Sequence, residues 1–346
     1  MINIFGMTLP ALQALLAEKG LPGYRAKQIA EWMYEKHVHD FLQMTNLPKN
    51  LRENLAGQFT IFRAKLVTRQ DSADKKTTKF LLAFDDDTAV ETVLMRQSYG
   101  NSICVSTQAG CSMACSFCAS GLYGLVRNLT VGEILAQALF IQEILAAETE
   151  GGHVNTIVIM GSGEPMINYD AVLGFIRLIH EKYVMDMGYR NITVSTSGIV
   201  PKIKELSKED IPLTLSISLH APNNEVRSKL MPINEHFPIE EVVAAGKLYG
   251  EETKRRVTYE YILIAGINDQ EEHAVALAAL LRGQIASVNL IPINPIEEKG
   301  FRRPAIGQIR RFEQILEEKH IAVTVRREMG NDIQAACGQL RNKYLG

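Results

Sequence analysis

Residues 102–121 read SICVSTQAGCSMACSFCASG, an apolar, strand-like run that leads directly into three closely spaced cysteines. These are Cys111, Cys115 and Cys118, spaced C-x3-C-x2-C, and a fourth thiol, Cys104, lies within the run itself. In a reducing compartment such crowding favours metal ligation or redox chemistry over a structural disulfide framework. The stretch therefore predicts a ligand-binding loop that follows the end of a β-strand.

The cysteine spacing distinguishes three kinds of metal site. Three thiolates on one tight loop can hold three corners of an iron–sulfur cubane and leave one iron open to a small molecule. Structural zinc usually takes four ligands from paired C-x2-C knuckles, and a ferredoxin-like carrier has a fourth cysteine in its local run. The loop has neither pattern, so an open cluster is the favoured interpretation and zinc the alternative.

The chain after residue 100 alternates strand-like runs with helix-period segments. The predicted strands are residues 102–107, 156–161, 191–196, 213–218, 257–263 and 287–291. The predicted helices are residues 130–147, 169–182, 199–207, 239–250, 270–282 and 305–319. This alternation predicts an α/β fold of parallel βα units, either a partial (β/α)6 barrel or an open doubly wound sheet. Both folds place ligands at the carboxyl ends of the strands.

The rest of the chain predicts three smaller parts around this core. Helical patterns at residues 9–19, 25–36 and 49–59 precede two extended runs, KFLLAF at 79–84 and AVETVLM at 89–95. The predicted division is a small N-terminal helical accessory domain at 1–60, a β linker at 61–96, the core at 97–328 and a C-terminal segment at 329–346.

Composition and charge exclude several classes of protein. Hydrophobic residues make up 46% of the 346 residues, which excludes wholesale disorder. The 37 Lys and Arg balance 39 Asp and Glu, a net charge of −2 that gives no overall sign of nucleic-acid binding. Residues 299–346 nevertheless hold 10 Lys and Arg against 5 acids, a local excess of +5. With neither a secretory signal pattern nor a long apolar run, we expect a cytoplasmic protein without a membrane segment.

Short polar residues follow several predicted strands, where a ligand would bind. Gly161-Ser162-Gly163-Glu164-Pro165 ends the second strand, and glycines there allow close approach of a ligand beside a carboxylate. The later strand ends supply Ser195, Ser218-Leu219-His220 and Asn294. Each has a plain structural alternative: glycine-rich turns are common, Ser195 and Ser197 could cap the next helix, and His220 could be a structural histidine.

The cysteine loop resembles a known enzyme family. C-x3-C-x2-C with Phe117 before the third cysteine is the signature of the radical S-adenosylmethionine (radical SAM) enzymes. The flanks CVSTQAGCSMACSFCASG and GLVRNLT resemble the ribosomal RNA adenine methyltransferases of the RlmN/Cfr family, from about Glu91 to Leu340. The resemblance implies one 4Fe-4S cluster on Cys111, Cys115 and Cys118, whose open iron binds S-adenosylmethionine for cleavage to a 5'-deoxyadenosyl radical.

The resemblance also implies roles for residues outside the cluster. Gly163 and Glu164 match the segment that holds the methionine part of S-adenosylmethionine, and the remaining matched cofactor contacts are Ser195, Ser218, Leu219, His220 and Asn294. Cys337 is expected to be methylated by one S-adenosylmethionine and activated by the radical from a second. Cys104 is expected to release the product through a transient disulfide with Cys337, and Glu91 to act as general base. Without the resemblance, Cys104 reads as a small buried hydrophobe and Glu91 as an exposed strand carboxylate.

Substrate and partners follow from the same resemblance. We expect methylation of carbon 2 of an adenine in the peptidyl transferase region of 23S rRNA, and of the adenosine beside the anticodon of some tRNAs. A flavodoxin or ferredoxin is the expected electron donor, and the protein is expected to be monomeric. The alternatives are a Cfr-type enzyme that methylates carbon 8 and confers antibiotic resistance, which Pro165 disfavours, and a non-catalytic iron–sulfur redox or sensor protein.

Overall fold

The computed structural model describes residues 1–294, 299–326, 329–336 and 338–340. Its N-terminal part consists of three helices and a short two-stranded parallel sheet. The elements are β1 (Ile2–Asn3), α1 (Leu9–Glu18), α2 (Tyr24–Ala30), a π-helical turn (Glu31–Glu35), α3 (Lys49–Gln58) and β2 (Phe59–Thr60). The three predicted helices are confirmed, although the second changes to π-helix after Ala30.

A glycine pair joins this helical part to the core. Gly6 adopts φ +93°, and a Cβ built on it would lie 2.5 Å from the backbone nitrogen of Gly132. The two backbones can approach this closely only because neither residue has a side chain. Tyr34 supports the contact, since its hydroxyl accepts a hydrogen bond from the Gly6 amide and donates one to the Met7 carbonyl, each at 3.0 Å.

The remaining strands and helices alternate as predicted. The strands are β3 (Lys65–Asp71), β4 (Thr77–Ala83), β5 (Ala89–Gln97), β6 (Gly100–Cys104), β7 (Gln108–Gly110), β8 (Leu125–Asn128), β9 (Val154–Ile159), β10 (Ile192–Thr196), β11 (Thr214–Ser218), β12 (Val257–Leu263), β13 (Ala286–Pro292) and β14 (Ala322–Val325). The helices are α4 (Val131–Glu148), α5 (Tyr169–His180), α6 (Val200–Leu206), α7 (Asn224–Leu230), α8 (Ile239–Thr253), α9 (Glu271–Leu280) and α10 (Ile306–Glu318). No helix in the described part of the chain is both long and apolar enough to cross a membrane.

The strand order decides between the two predicted sheets. Ten strands pair in the order β14-β13-β12-β11-β10-β9-β6-β5-β4-β3, and each pair from β6 to β14 is parallel. A doubly wound sheet would reverse its order at a switch point, and this order contains no reversal. Residues of β6 and of β9 to β14 also line one cavity, as expected if the sheet curves around it. The partial barrel is therefore confirmed, with β14 as a seventh parallel strand that the sequence analysis did not predict.

The predicted β linker continues the barrel sheet. β5 pairs antiparallel with β6, with Val93 opposite Cys104, and β4 and β3 extend the sheet outward. Val93, Met95 and Gln97 alternate along β5 and line the barrel cavity, so this face of the strand is an inner face.

The chain's last described residues lie along these antiparallel strands. The Gln97 side chain contacts the Met329 sulfur, and the Ala73 amide donates a 2.8 Å hydrogen bond to the Asp332 carboxylate. Leu340 packs with Val93 and Cys104. The linker therefore provides a surface on which residues 329–336 and 338–340 pack.

Candidate active site

An inner cavity of about 160 Å³ lies at the carboxyl ends of the barrel strands. Its wall brings together eight of the predicted site residues, namely Cys111, Cys115, Cys118, Gly163, Glu164, Ser195, Ser218 and His220. They come from four separate stretches of sequence, and parallel strands bring them to one edge of the sheet. The site is thus built where both candidate folds placed it.

The cysteine loop is held in place by backbone hydrogen bonds. The Ser116 amide donates to the Leu230 carbonyl at 2.9 Å, and the Cys111 amide donates to the Gly124 carbonyl at 3.0 Å. Ala114, between the first two cysteines, adopts φ +51°, which turns the chain sharply. Backbone contacts, rather than metal ligation alone, therefore shape the loop.

The three thiols suit a cluster better than a single metal ion. Burial raises the pKa of Cys111 to about 12 and that of Cys115 well above its usual value, and the neighbouring thiols add to both shifts. Bound iron would favour the thiolate, because a coordinating thiol loses its proton to the metal. Within the described ranges, no three His, Cys, Asp or Glu side chains converge tightly enough to hold one metal ion. Three cysteines on one loop fill three corners of a cubane, whereas structural zinc takes four protein ligands.

Glu164 is a buried acidic side chain in the wall of this cavity. Its carboxylate accepts hydrogen bonds from the Thr196 hydroxyl and the Ser197 amide, each at 2.7 Å, and from the Met166 amide at 3.1 Å. Burial is the largest influence on its pKa and raises it, while these donors oppose the shift. A carboxylate held in this way can receive a cationic ammonium group at the cavity wall.

Gly163 permits the close approach of two strand ends. It adopts φ +107°, and a Cβ built on it would lie 2.6 Å from the Cβ of Gln108. The Gln108 side chain also accepts a 2.8 Å hydrogen bond from the Glu164 amide. The glycine therefore lets the loop after β9 pack against the strand that leads into the cysteine loop.

Arg227 on α7 stabilises the carboxyl ends of β10 and β11 by hydrogen bonds. Its side chain is fully buried and donates to the carbonyls of Ser197 at 2.6 Å and Ser218 at 3.5 Å. The other terminal nitrogen donates to the Asn234 side chain at 2.9 Å and the Phe237 carbonyl at 3.1 Å. The helix-cap alternative for Ser195 and Ser197 is wrong, because α6 begins after Ile199 without a side-chain cap.

His220 is neutral and oriented. Its Nδ1 accepts a 3.0 Å hydrogen bond from the Ile262 amide, so the ring proton resides on Nε2. Burial lowers its pKa to about 3, with Arg227 adding to the shift. The ring packs edge-on against Phe117 of the cysteine loop, with centroids 4.8 Å apart. The residue is both a satisfied structural histidine and part of the cavity wall.

A second, larger cavity of about 570 Å³ adjoins the first. Cys118, Gly161, Glu260 and Arg326 are among the residues that line both. Cys104 and Asn294 line the larger cavity, together with Ala336 and Gly338. Cys337 lies outside the described residues, but its neighbours in sequence on both sides are at this wall. The structure therefore places Cys104 beside the segment predicted to carry the methyl group.

Two predicted residues line neither of these cavities. The Leu219 side chain is buried in the main core, and its amide donates to the Glu260 carbonyl at 3.0 Å. The Glu91 carboxylate forms a 3.0 Å ion pair with Lys79, and only about a tenth of each side chain is exposed. The exposed-carboxylate interpretation of Glu91 is therefore wrong.

Comparison with known proteins agrees with this architecture. The Radical SAM superfamily model matches residues 105–278, and the ribosomal RNA large subunit methyltransferase N-terminal domain model matches residues 2–61. A relative from Symbiobacterium thermophilum, described as a probable dual-specificity RNA methyltransferase RlmN, is 52% identical over 339 residues, 98% of this chain and 91% of its own. The chain belongs to the RlmN family of radical SAM enzymes.

Further members of the RlmN family match nearly end to end. The Geobacillus kaustophilus relative, with the same description, is 50% identical over 99% of this chain and 93% of its own. The crystal structure of a radical SAM methyltransferase from Sphaerobacter thermophilus matches with a TM-score of 0.94 at 45% identity, over 99% of this chain and 100% of that chain. The protein is therefore an S-adenosylmethionine-dependent RNA methyltransferase, and its superfamily implies a 4Fe-4S cluster.

The sequence analysis missed several residues of this RlmN-family site. Thr196 and Ser197 hold Glu164, Arg227 braces two strand ends, and Glu260 lies on the wall between the cavities. Glu260 had a visible signal, since it is the charged residue within the otherwise apolar strand VTYEYIL. Arg227 had none, because a charged residue in the polar stretch NNEVRSKL reads as exposed.

Proposed function

We propose that the protein methylates carbon 2 of an adenine in 23S rRNA, and of the adenosine beside the anticodon of some tRNAs, by way of an S-methylated Cys337. The observation that supports this most is the pair of adjoining cavities. One holds the three cluster cysteines and Glu164, and the other holds Cys104 and both sequence neighbours of Cys337. A radical made in the first cavity could act on a thioether at the wall of the second.

The residues of the inner cavity would bind the cofactors. When bound, the cluster and S-adenosylmethionine, two molecules per turnover, supply the methyl group and a 5'-deoxyadenosyl radical. Cys111, Cys115 and Cys118 would ligate the cluster. Glu164 would accept the methionine ammonium beside Gly163. The contacts proposed for the ribose and adenine are Ser195, Ser218, Leu219, His220 and Asn294, with Leu219 acting through its backbone.

The remaining proposed residues act on the RNA adduct. Cys337 would carry the methyl group as a thioether, lose one hydrogen atom from it and form a carbon–carbon bond to the adenine. Glu91 would take the proton from the adduct carbon, and the unpaired electron that the radical addition leaves on the adduct would pass to the iron–sulfur cluster as its acceptor. The Cys104 thiolate would then attack the Cys337 sulfur and form a disulfide, the bond from that sulfur to the methylene carbon would break, and that carbon would take up a proton to become the methyl group of the product. Two electrons from a flavodoxin or ferredoxin would reduce the disulfide.

The RNA must present its target base outside a helical stack, since a buried radical cannot reach a stacked base. Tyr99 lines the larger cavity and is 70% exposed, which suits stacking on a neighbouring base. The basic C-terminal region would contact phosphates, although Arg311 already pairs with Glu271 and Glu318. We propose a cytoplasmic monomer with the four-part domain division at residues 60, 96 and 328.

Nucleoside mass spectrometry tests the proposal. RNA from a strain that lacks the gene should lose 2-methyladenosine and regain it with the wild-type gene. Cys337→Ala should abolish methyl transfer, whereas Cys104→Ala should leave RNA covalently trapped on the protein. Appearance of 8-methyladenosine instead would favour the Cfr-type alternative. Full multiple turnover by either cysteine variant would overturn the proposed mechanism.

A further inference from the structure

We infer that Lys79 is a positioning residue, which ties the proposed base Glu91 to the C-terminal segment that carries Cys337. The inference rests on the proposed function, because Glu91 and Cys337 have their roles only there. Lys79 lies on β4, in the predicted linker, far in sequence from the cysteine loop and the cofactor cradle. Lys79 is not among the residues that the family resemblance matched, and it lines neither of the two cavities.

One ammonium group makes both contacts. The Lys79 Nζ lies 3.0 Å from the Glu91 Oε1 and 3.3 Å from the carbonyl oxygen of Gln334. Lys79 and Glu91 side chains are each about 10% exposed, so both charges are largely removed from water. Removal of one partner of such a pair leaves an uncompensated charge, and the other partner must then move or change protonation.

The carbonyl that Lys79 binds belongs to a tightly turned backbone. Gln334 adopts φ +53°, a conformation uncommon for residues other than glycine. The turn is closed by a 2.8 Å hydrogen bond from the Ala335 amide to the Gly330 carbonyl. Ala336, two residues after Gln334, already lines the larger cavity. A shift of the Gln334 carbonyl would therefore move the backbone that leads to position 337.

Other charged and titratable groups surround this contact. Cys104 on β6 lies opposite Val93, one step along the same face of the sheet. Asp332 on the C-terminal segment is engaged by the Ala73 amide, and its backbone turn packs over Thr77 through Gly330. The Lys79 ammonium directly contacts the Glu91 carboxylate, so its removal takes away a group that holds this carboxylate in position.

The test compares Lys79→Met with Lys76→Met, which removes an exposed lysine three residues away. Both proteins are loaded with cluster and supplied with S-adenosylmethionine, reductant and an rRNA fragment. For Lys79→Met we expect 5'-deoxyadenosine formation close to that of Lys76→Met, and a fall of about 10- to 100-fold in methylated adenine, because small misplacements remote from the chemistry can cost this much.

Two further measurements separate positioning from simple misfolding. Hydrogen exchange of the peptide that spans residues 330–336 should be faster in Lys79→Met, with exchange of the barrel strands unchanged. Lys79→Arg keeps the charge and should restore part of the methyl transfer. If Lys79→Met unfolds, the double variant Lys79→Met/Glu91→Gln removes both charges, and it should again show faster exchange at 330–336.

The outcomes also separate this inference from the proposed function. One outcome is that Lys79→Met matches Lys76→Met in both methyl transfer and hydrogen exchange while Cys337→Ala is inactive. That result would overturn the role of Lys79 and leave the proposed function intact. Normal methyl transfer by Cys337→Ala would instead overturn the proposed function.

Discussion

Replacement of Arg227 by methionine should destabilise the chain at Ser197 and Ser218, which form part of the wall of the inner cavity. The guanidinium donates three hydrogen bonds of 2.6 to 3.1 Å and a fourth of 3.5 Å, to the carbonyls of Ser197, Ser218 and Phe237 and the side chain of Asn234. Hydrogen bonds to a charged group contribute about 1.5–3 kcal/mol each, but the desolvation of the buried arginine offsets several kcal/mol of that gain. Each buried acceptor that loses its donor costs about 1–3 kcal/mol, so after this offset we expect Arg227→Met to lower the free energy of unfolding by about 3–5 kcal/mol.

The measurement is urea unfolding of the cluster-free protein, followed by circular dichroism at matched protein concentration. Lys229→Met on the same helix is the control, because Lys229 is exposed and forms a surface ion pair with Glu225. That change should cost no more than about 1 kcal/mol. Arg227→Lys should recover little, since one ammonium cannot reach acceptors on both sides of a guanidinium. An Arg227→Met protein as stable as the Lys229→Met control would refute the bracing role.

Three shorter predictions concern residues that line the inner cavity. Glu164→Gln should weaken S-adenosylmethionine binding about tenfold or more in calorimetric titration, because its amide would face the Ser197 N–H donor; wild-type affinity would contradict this. Gly163→Ala should lower the melting temperature, since its Cβ would lie 2.6 Å from the Gln108 Cβ, and an unchanged melting temperature would argue against the close approach. Because the folded pKa of His220 is about 3 against 6.5, the unfolded chain binds the extra proton between those values and stability falls as pH drops. His220→Asn should flatten this slope in acid-unfolding curves, and an equal slope would show that other groups cause it.

The order of the core elements could be predicted from the sequence because its hydrophobic periods are clear. VTYEYIL at 257–263 was predicted to the residue, and α8 and α10 begin within one residue of their predicted starts. The sequence could not decide between a barrel and a doubly wound sheet, because local hydrophobic patterns do not show which strands pair. β14 was missed since AVTV is short and half-exposed.

The site was predictable to the extent that its residues lie in motifs. The cysteine loop and the segment GSGEP (161–165) are each continuous in sequence, so both can be recognised as local motifs. Lys79, Arg227 and Glu260 act through partners many residues away, and a buried charge looks the same in sequence as an exposed one. Their identification required the contacts themselves.

The position of residues 329–340 affects how the site is assembled during synthesis. Lys79 donates to the Gln334 carbonyl, 255 residues further along the chain, and the Ala73 amide donates to the Asp332 carboxylate, 259 residues further along. A nascent or truncated chain that ends before residue 329 lacks this wall of the larger cavity, although it contains the three cysteines for the cluster and the residues of the cofactor cradle. In the proposed function, the cofactor-binding residues can therefore fold before the residues beside the proposed methyl carrier reach the antiparallel strands on which they pack.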